Sequence, residues 1–199
     1  METHTDVNAM HHDHDMTGGT RAMAVAATLH CLTGCAIGEI AGLMIGTAAG
    51  LGNGWTVAIS IALAFVFGYA LSTLPLVKGG LALSAALGLV LAADTLSILT
   101  MEVVDNLVVL VVPGAMDAGL VNPTFWVSLL LALGAAFVAA VPVNAYLLGR
   151  GKGHALTHGQ HGSGPATGVR RFLPSFRTST LVAVIVAFVL GGLVVSIAA

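Results

Sequence analysis

Charged side chains are scarce in this sequence. Aspartate, glutamate, lysine and arginine make up only 8% of its 199 residues, against roughly 25% in an ordinary soluble domain. With 57% hydrophobic residues and a mean hydropathy of +0.96, the chain lacks the polar surface to cover itself in water. It reads as an integral membrane protein. Basic charge is scarcest of all: seven lysines and arginines against nine acids leave a net charge of −2, so no basic field points to nucleic acid. There are two cysteines, Cys31 and Cys35, four apart in one apolar stretch. A disulfide there would strain a helix, because the Cβ vectors do not face each other; free thiols are expected. No cleavable leader is expected, since residues 1–20 are polar and the first apolar run is long enough to read as a retained span.

What is present is apolar helix. At roughly 20 residues per span, the length allows about five crossings and no separate soluble domain. The expected class is an all-α bundle of five transmembrane helices. Residues 1–20 lack periodicity and read as a disordered His-rich tail, followed by a four-helix core over 21–148. Helix 1 is expected over 21–50, ended by LGNG, and helix 2 over 55–74, stopping before Pro75. Helix 3 draws on 81–112, too long for a ~30 Å hydrocarbon core, and so is either tilted or broken near 100–106. Helix 4 covers 124–148, a His/Gly/Arg linker 149–177, and helix 5 178–199. All seven basic residues fall before helix 1, between helices 2 and 3, or between helices 4 and 5. By the positive-inside rule the expected topology is N-in/C-out, in the cell (inner or plasma) membrane.

Helix 1 carries HCLTGCAIGEIAGLMIGTAAG over 30–50. Cys31, Cys35 and Glu39 share one side of the helix, with His30 beside them. Gly34, Gly38, Gly42, Gly46 and Gly50 form the adjacent row. A glycine row of this kind is a helix-packing ridge, its partner being another helix of the chain or, less favoured, a second protomer. For the cysteines, one account is simple packing, since a buried thiol behaves as a small hydrophobe. The other makes His30, Cys31, Cys35 and Glu39 a metal site, with Met44 nearby; thiolate, thioether and imidazole suit copper(I) or zinc.

Helix 3 supplies a polar stripe of Asp94, Ser97, Met101, Glu102, Asp105 and Asn106, and helix 4 adds Asn144 behind Pro142. Polar groups at membrane depth are costly and usually face a partner or a cavity. They are either neutral carboxyls bonded across helices or the lining of an ion or proton pathway. Pro142 also frees a carbonyl near Val138, a natural cation ligand. Met116 and Asp117 form a turn or a pathway mouth. Outside the spans, His11, His12 and His14 alternate with aspartates, and His154, His158 and His161 form a second tract. Each tract is either a solvated polar tail or a transition-metal binder.

Four motifs, HCLTGCAIGEIAG, DTLSILTMEVVDN, PGAMDAGL and FVAAVPVN, resemble those of a bacterial and archaeal membrane family catalogued only as a domain of unknown function. The resemblance spans about 25–150 and implies a small multi-helix membrane fold, without an activity or site residues. From the residues themselves the expected function is non-enzymatic: transition-metal handling in a lipid bilayer, copper(I) first and zinc or another divalent ion next. A thiol-redox protein and an accessory subunit of a larger membrane complex are the competing expectations, and a homo-oligomer is compatible with each.

Overall fold

A computed structural model describes residues 12–150, 172 and 177–198, with side chains from residue 19 onward. Five α-helices make up the described residues in the order α1 His12–Ala48, α2 Asn53–Lys78, α3 Leu83–Val111, α4 Pro123–Gly149 and α5 Thr178–Ala198, with one 3-10 turn, Ala115–Asp117, between α3 and α4. There is no strand among the described residues. Each helix is long and apolar enough to cross a membrane, as expected of a multi-pass membrane protein. In hydrocarbon the backbone has no water to bond, so apolar runs close their own hydrogen bonds as helices.

Local chemistry sets the breaks. After α1 the chain reverses at Gly50, whose φ of +65° is left-handed and needs a residue without Cβ. At the start of α4 the Asn122 side chain accepts from the Thr124 N–H at 2.9 Å, and Pro123 occupies the first helical position, where its missing N–H costs nothing.

Two boundaries differ from the sequence reading, and the alternative left open for helix 3 is decided. α1 starts at His12 rather than near 21, because extending a formed helix adds one hydrogen bond per residue fixed whereas nucleation is the costly step. α2 runs through Pro75 to Lys78. The proline sits in the last turn, where the Gly79 N–H still reaches the Pro75 carbonyl at 2.9 Å. α3 is a single unbroken helix of 29 residues, about 43 Å long at ~1.5 Å per residue.

α1 lies at the centre and touches all four other helices. Against α2 it runs antiparallel and very close: Gly34 faces Gly68, Gly38 faces Ala64, Gly42 faces Ser60 and Gly46 faces Thr56. A Cβ built on Gly34 would stand 2.5 Å from the Gly68 Cα, and one on Gly38 would enter the Ala64 backbone. The glycine ridge is thus filled within the chain by a second row of small residues, four apart on α2. Gly50 is not part of the contact. The Tyr69 and Thr95 hydroxyls join α2 to α3 at 2.8 Å. Trp126 of α4 bonds the Leu120 carbonyl at 2.8 Å, meets Phe188 of α5 edge-on at 5.5 Å, and presses its ring on Gly192. Arg21 stands near the start of the apolar part of α1, Gly19–Ala48, while Lys78 and Arg150 stand at the C-ends of α2 and α4 and Arg177 at the N-end of α5.

Candidate functional site

The second face of α1 is chemically unlike the glycine ridge. Cys31, Cys35 and Glu39 sit one helical turn apart on it, and α3 runs alongside with its acids turned inward. Cys31 lies against Asp94 of α3, with its sulfur 3.8 Å from the Ser72 hydroxyl of α2. One turn on, Cys35 lies beside Glu102; a further turn on, Glu39 lies beside Asp105 and near Glu102. The matched order means that α1 and α3 run parallel. Their shared line of polar groups is the α1–α3 seam.

The seam is buried: Asp94, Ser97, Met101, Glu102 and Asp105 are all shielded from solvent, and both cysteines are free thiols. Beyond Cys31 it continues to the Asn144 side chain of α4, which donates to the Thr28 hydroxyl at 2.8 Å while that hydroxyl donates to the Ala24 carbonyl at 2.8 Å. At the opposite end its polar groups are under-satisfied. Glu39 Oε1, both carboxylate oxygens of Glu102 and Asp105 Oδ1 have no hydrogen-bond partner among the described residues. The Cys35 thiol is close enough to Glu102 to interact with it without meeting hydrogen-bond geometry. Buried carboxyl oxygens are rarely left this way unless a proton, water or ion completes them.

A cavity of about 340 Å3 is lined by the same three acids. Glu39, Glu102, Asp105 and Asn106 form its floor, the Thr56, Ser60 and Ser128 side chains its walls, and Asn53, Met116 and Asp117 its mouth. At the mouth the Asn53 amide donates to Asp117 at 3.0 Å, tying the α1–α2 connection to the 3-10 turn. The cavity therefore opens at the end of the bundle opposite Arg21, Lys78, Arg150 and Arg177. The Met116–Asp117 segment is both a turn and a rim.

Several expected site residues lie elsewhere. His30 is half-buried, and its Nδ1 bonds the Ala26 carbonyl of its own helix at 2.8 Å, so the ring is anchored locally. Met44 is 55% exposed and faces outward. Asn106 bonds the Glu102 carbonyl at 2.8 Å. Pro142 is exposed and Val138 is 72% exposed, which puts the carbonyl freed by the proline on the outer surface, not in the seam. Glu39 reaches the helix 3 acids around the side of α1, because the glycine ridge faces α2. Among the described residues no three His, Cys, Asp or Glu side chains converge tightly enough to hold a metal ion. His11, His154, His158 and His161 fall outside the described residues, as do the side chains of His12 and His14.

Ser72, Thr28, Ser60 and Ser128 were not singled out from the sequence. The available signal was on α2, where Thr56, Ser60, Ala64, Gly68 and Ser72 repeat every fourth residue.

Fold and seam together define a small multi-pass helical membrane protein with a buried polar line and a one-ended cavity. Residues 20–153 match the family described as a domain of unknown function, DUF4396, and the chain belongs to that family. No curated protein and no solved structure matches the chain.

Proposed function

We propose that this protein carries a cation across the membrane along the α1–α3 seam, with copper(I) as the first candidate cargo and zinc or another divalent metal next. The observation that supports this most is the row-against-row contact of Cys31, Cys35 and Glu39 with Asp94, Glu102 and Asp105. Acids at membrane depth that face a partner helix and a cavity mark ion or proton paths. Cys31, Cys35 and Met101 also share one core cluster, and thiolate with thioether is a donor set that suits copper(I). Met101 takes the place first given to His30. Glu39, Glu102 and Asp105 exchange protons as cargo passes.

The one-ended distribution of Arg21, Lys78, Arg150 and Arg177 supports an N-in/C-out topology in the inner or plasma membrane, with the cavity opening away from the cytoplasm. The His11, His12 and His14 tract and the His154, His158 and His161 tract concentrate metal on the cytoplasmic side.

The test is copper(I) uptake into liposomes containing the full chain, together with elemental analysis of protein purified without a His tag. Wild type is expected to hold and carry copper, and the double variant Cys31→Ser/Cys35→Ser to lose both. Equal transport by the two would remove the cysteines from the path. A metal-free protein that carries no ion would favour the accessory-subunit reading. The thiol-redox reading has less support, since the two thiols are buried and no third cysteine exists to accept electrons.

A further inference from the structure

The carboxylates at the cavity floor and the thiols deeper in the seam are chemically separate stations. Glu102 is 3% exposed and Asp105 4%, yet both line the cavity, and both carboxylate oxygens of Glu102 and Oδ1 of Asp105 are buried without a hydrogen-bond partner among the described residues. Every other polar group on the cavity wall is an oxygen donor or a side-chain amide: Glu39, Thr56, Ser60, Asn106 and Ser128 among them. No sulfur lines the floor, and Met116 stands at the rim. Among the described residues no lysine or arginine lines the cavity, so three neighbouring carboxyls have no basic side chain from that set to balance them. All-oxygen surroundings select hard cations. The carboxylates do not converge enough to ligate a bare ion, and a cavity of about 340 Å3 has room for several waters.

We propose that the cavity floor is a binding site for a partly hydrated, hard divalent cation of the magnesium, manganese or calcium class. Glu102 and Asp105 are its direct or water-bridged anionic partners, and Glu39 is the third carboxyl that adjusts its own protonation to the ion's charge. Magnesium-like ions keep much of their water and bind through one or two carboxylates, as this floor allows. The ion enters from the Asn53–Asp117 end. This deepens the cation-pathway reading and rests on it for the ion's onward movement, though not for its binding.

Manganese(II) is the probe, because its free ion gives a paramagnetic resonance signal that is lost on binding. The full chain in detergent, without an affinity tag, is expected to take up close to one Mn2+ that magnesium or calcium displaces. Glu102→Gln and Asp105→Asn should each weaken that binding at least tenfold, whereas Met44→Leu, on the outward side of α1, should leave it unchanged. Both substitutions preserve shape and replace a buried carboxyl by an uncharged amide, so loss of fold is not their expected effect; thermal unfolding of each variant checks this. Replacing His11, His12 and His14 with alanine separates tail binding from floor binding.

Mn2+ binding of equal strength in Glu102→Gln and Asp105→Asn overturns the proposal. So does an absence of Mn2+ binding in the wild type, which would mean that protons alone neutralise the floor. Copper(I) flux that persists without any Mn2+ site would sink this inference and leave the transport reading standing. Floor binding in a protein that carries no ion would do the reverse.

Discussion

α1 presents two faces to its neighbours, and they solve opposite problems. Toward α2, Gly34, Gly38, Gly42 and Gly46 meet Gly68, Ala64, Ser60 and Thr56 with backbones nearly touching. Toward α3, long acids and thiols hold the backbones apart and leave a cavity where the side chains do not fill the gap. In lipid, helices gain nothing from hiding apolar groups, since tails are as apolar as leucine; close backbone packing and interhelical hydrogen bonds carry association instead. The glycine face supplies the packing. The acid face can then hold costly groups in the interior, because α1 is fixed from its other side.

The comparison breaks most sharply at Gly38. A methyl group there meets the Ala64 backbone rather than a side chain that could swing away. Gly38→Ala should cost at least the upper end of the ~1–3 kcal/mol typical of overpacking, and Gly38→Leu should abolish folded protein. Gly46→Ala meets only the Thr56 side chain, so about 1 kcal/mol is expected there. Reversible unfolding in mixed micelles gives the ranking; equal costs at Gly38 and Gly46 would mean that the ridge is not as close as described.

The acid face should respond in the opposite sense. Glu102→Gln keeps shape and removes a buried carboxyl whose oxygens have no partner. Its folded yield and unfolding midpoint should stay level or rise, while cation uptake into liposomes falls at least tenfold. A variant that loses stability in step with transport would make Glu102 a structural group.

Much of this contrast was legible in the sequence, because both faces of α1 follow helical periodicity. Cys31, Cys35 and Glu39 fall in one row and the glycines in the next, and the stripe from Asp94 to Asp105 has the same spacing. Pairing was not legible. Periodicity says which residues share a face but not which helix covers it, so the ridge's partner needed the small-residue row of α2 to be recognised. His30 misled for a local reason: a histidine one turn beyond a carbonyl can satisfy itself on its own helix, as it does on Ala26. Pro142 misled in the same way, since the side of α4 that carries it was not fixed by its spacing. Gly192 of α5 gave no signal at all until the Trp126 ring was placed on it.

Between the two extremes lies the Asn144–Thr28 bond, a polar contact without charge. Its donor and acceptor are both buried, and Thr28 is also held by the Ala24 carbonyl. Asn144→Ala should cost about 1 kcal/mol, between the average of ~0.6 and the maximum of ~1.7 kcal/mol found for hydrogen bonds between membrane helices. Thr28→Ala should cost about as much, and the double variant little more than either single one. Fully additive losses would show that the two side chains act separately.

The smallest stability effect belongs to the cavity mouth. Asp117 is exposed, and its bond to Asn53 at 3.0 Å competes with water, so Asp117→Asn should change the unfolding free energy by no more than about 0.5 kcal/mol. Its influence on entry is a separate matter. A carboxylate at the rim of an acid-floored cavity raises the local cation concentration by an electrostatic effect that salt screens over about 10 Å at 0.1 M. Asp117→Asn should therefore slow Mn2+ association severalfold at low ionic strength and converge on the wild-type rate as salt is raised, with dissociation unchanged. Stopped-flow measurements at two ionic strengths separate these terms. A change in dissociation alone would place Asp117 among the groups that hold the ion, and would extend the acid face of α1 and α3 to the loop that closes over it.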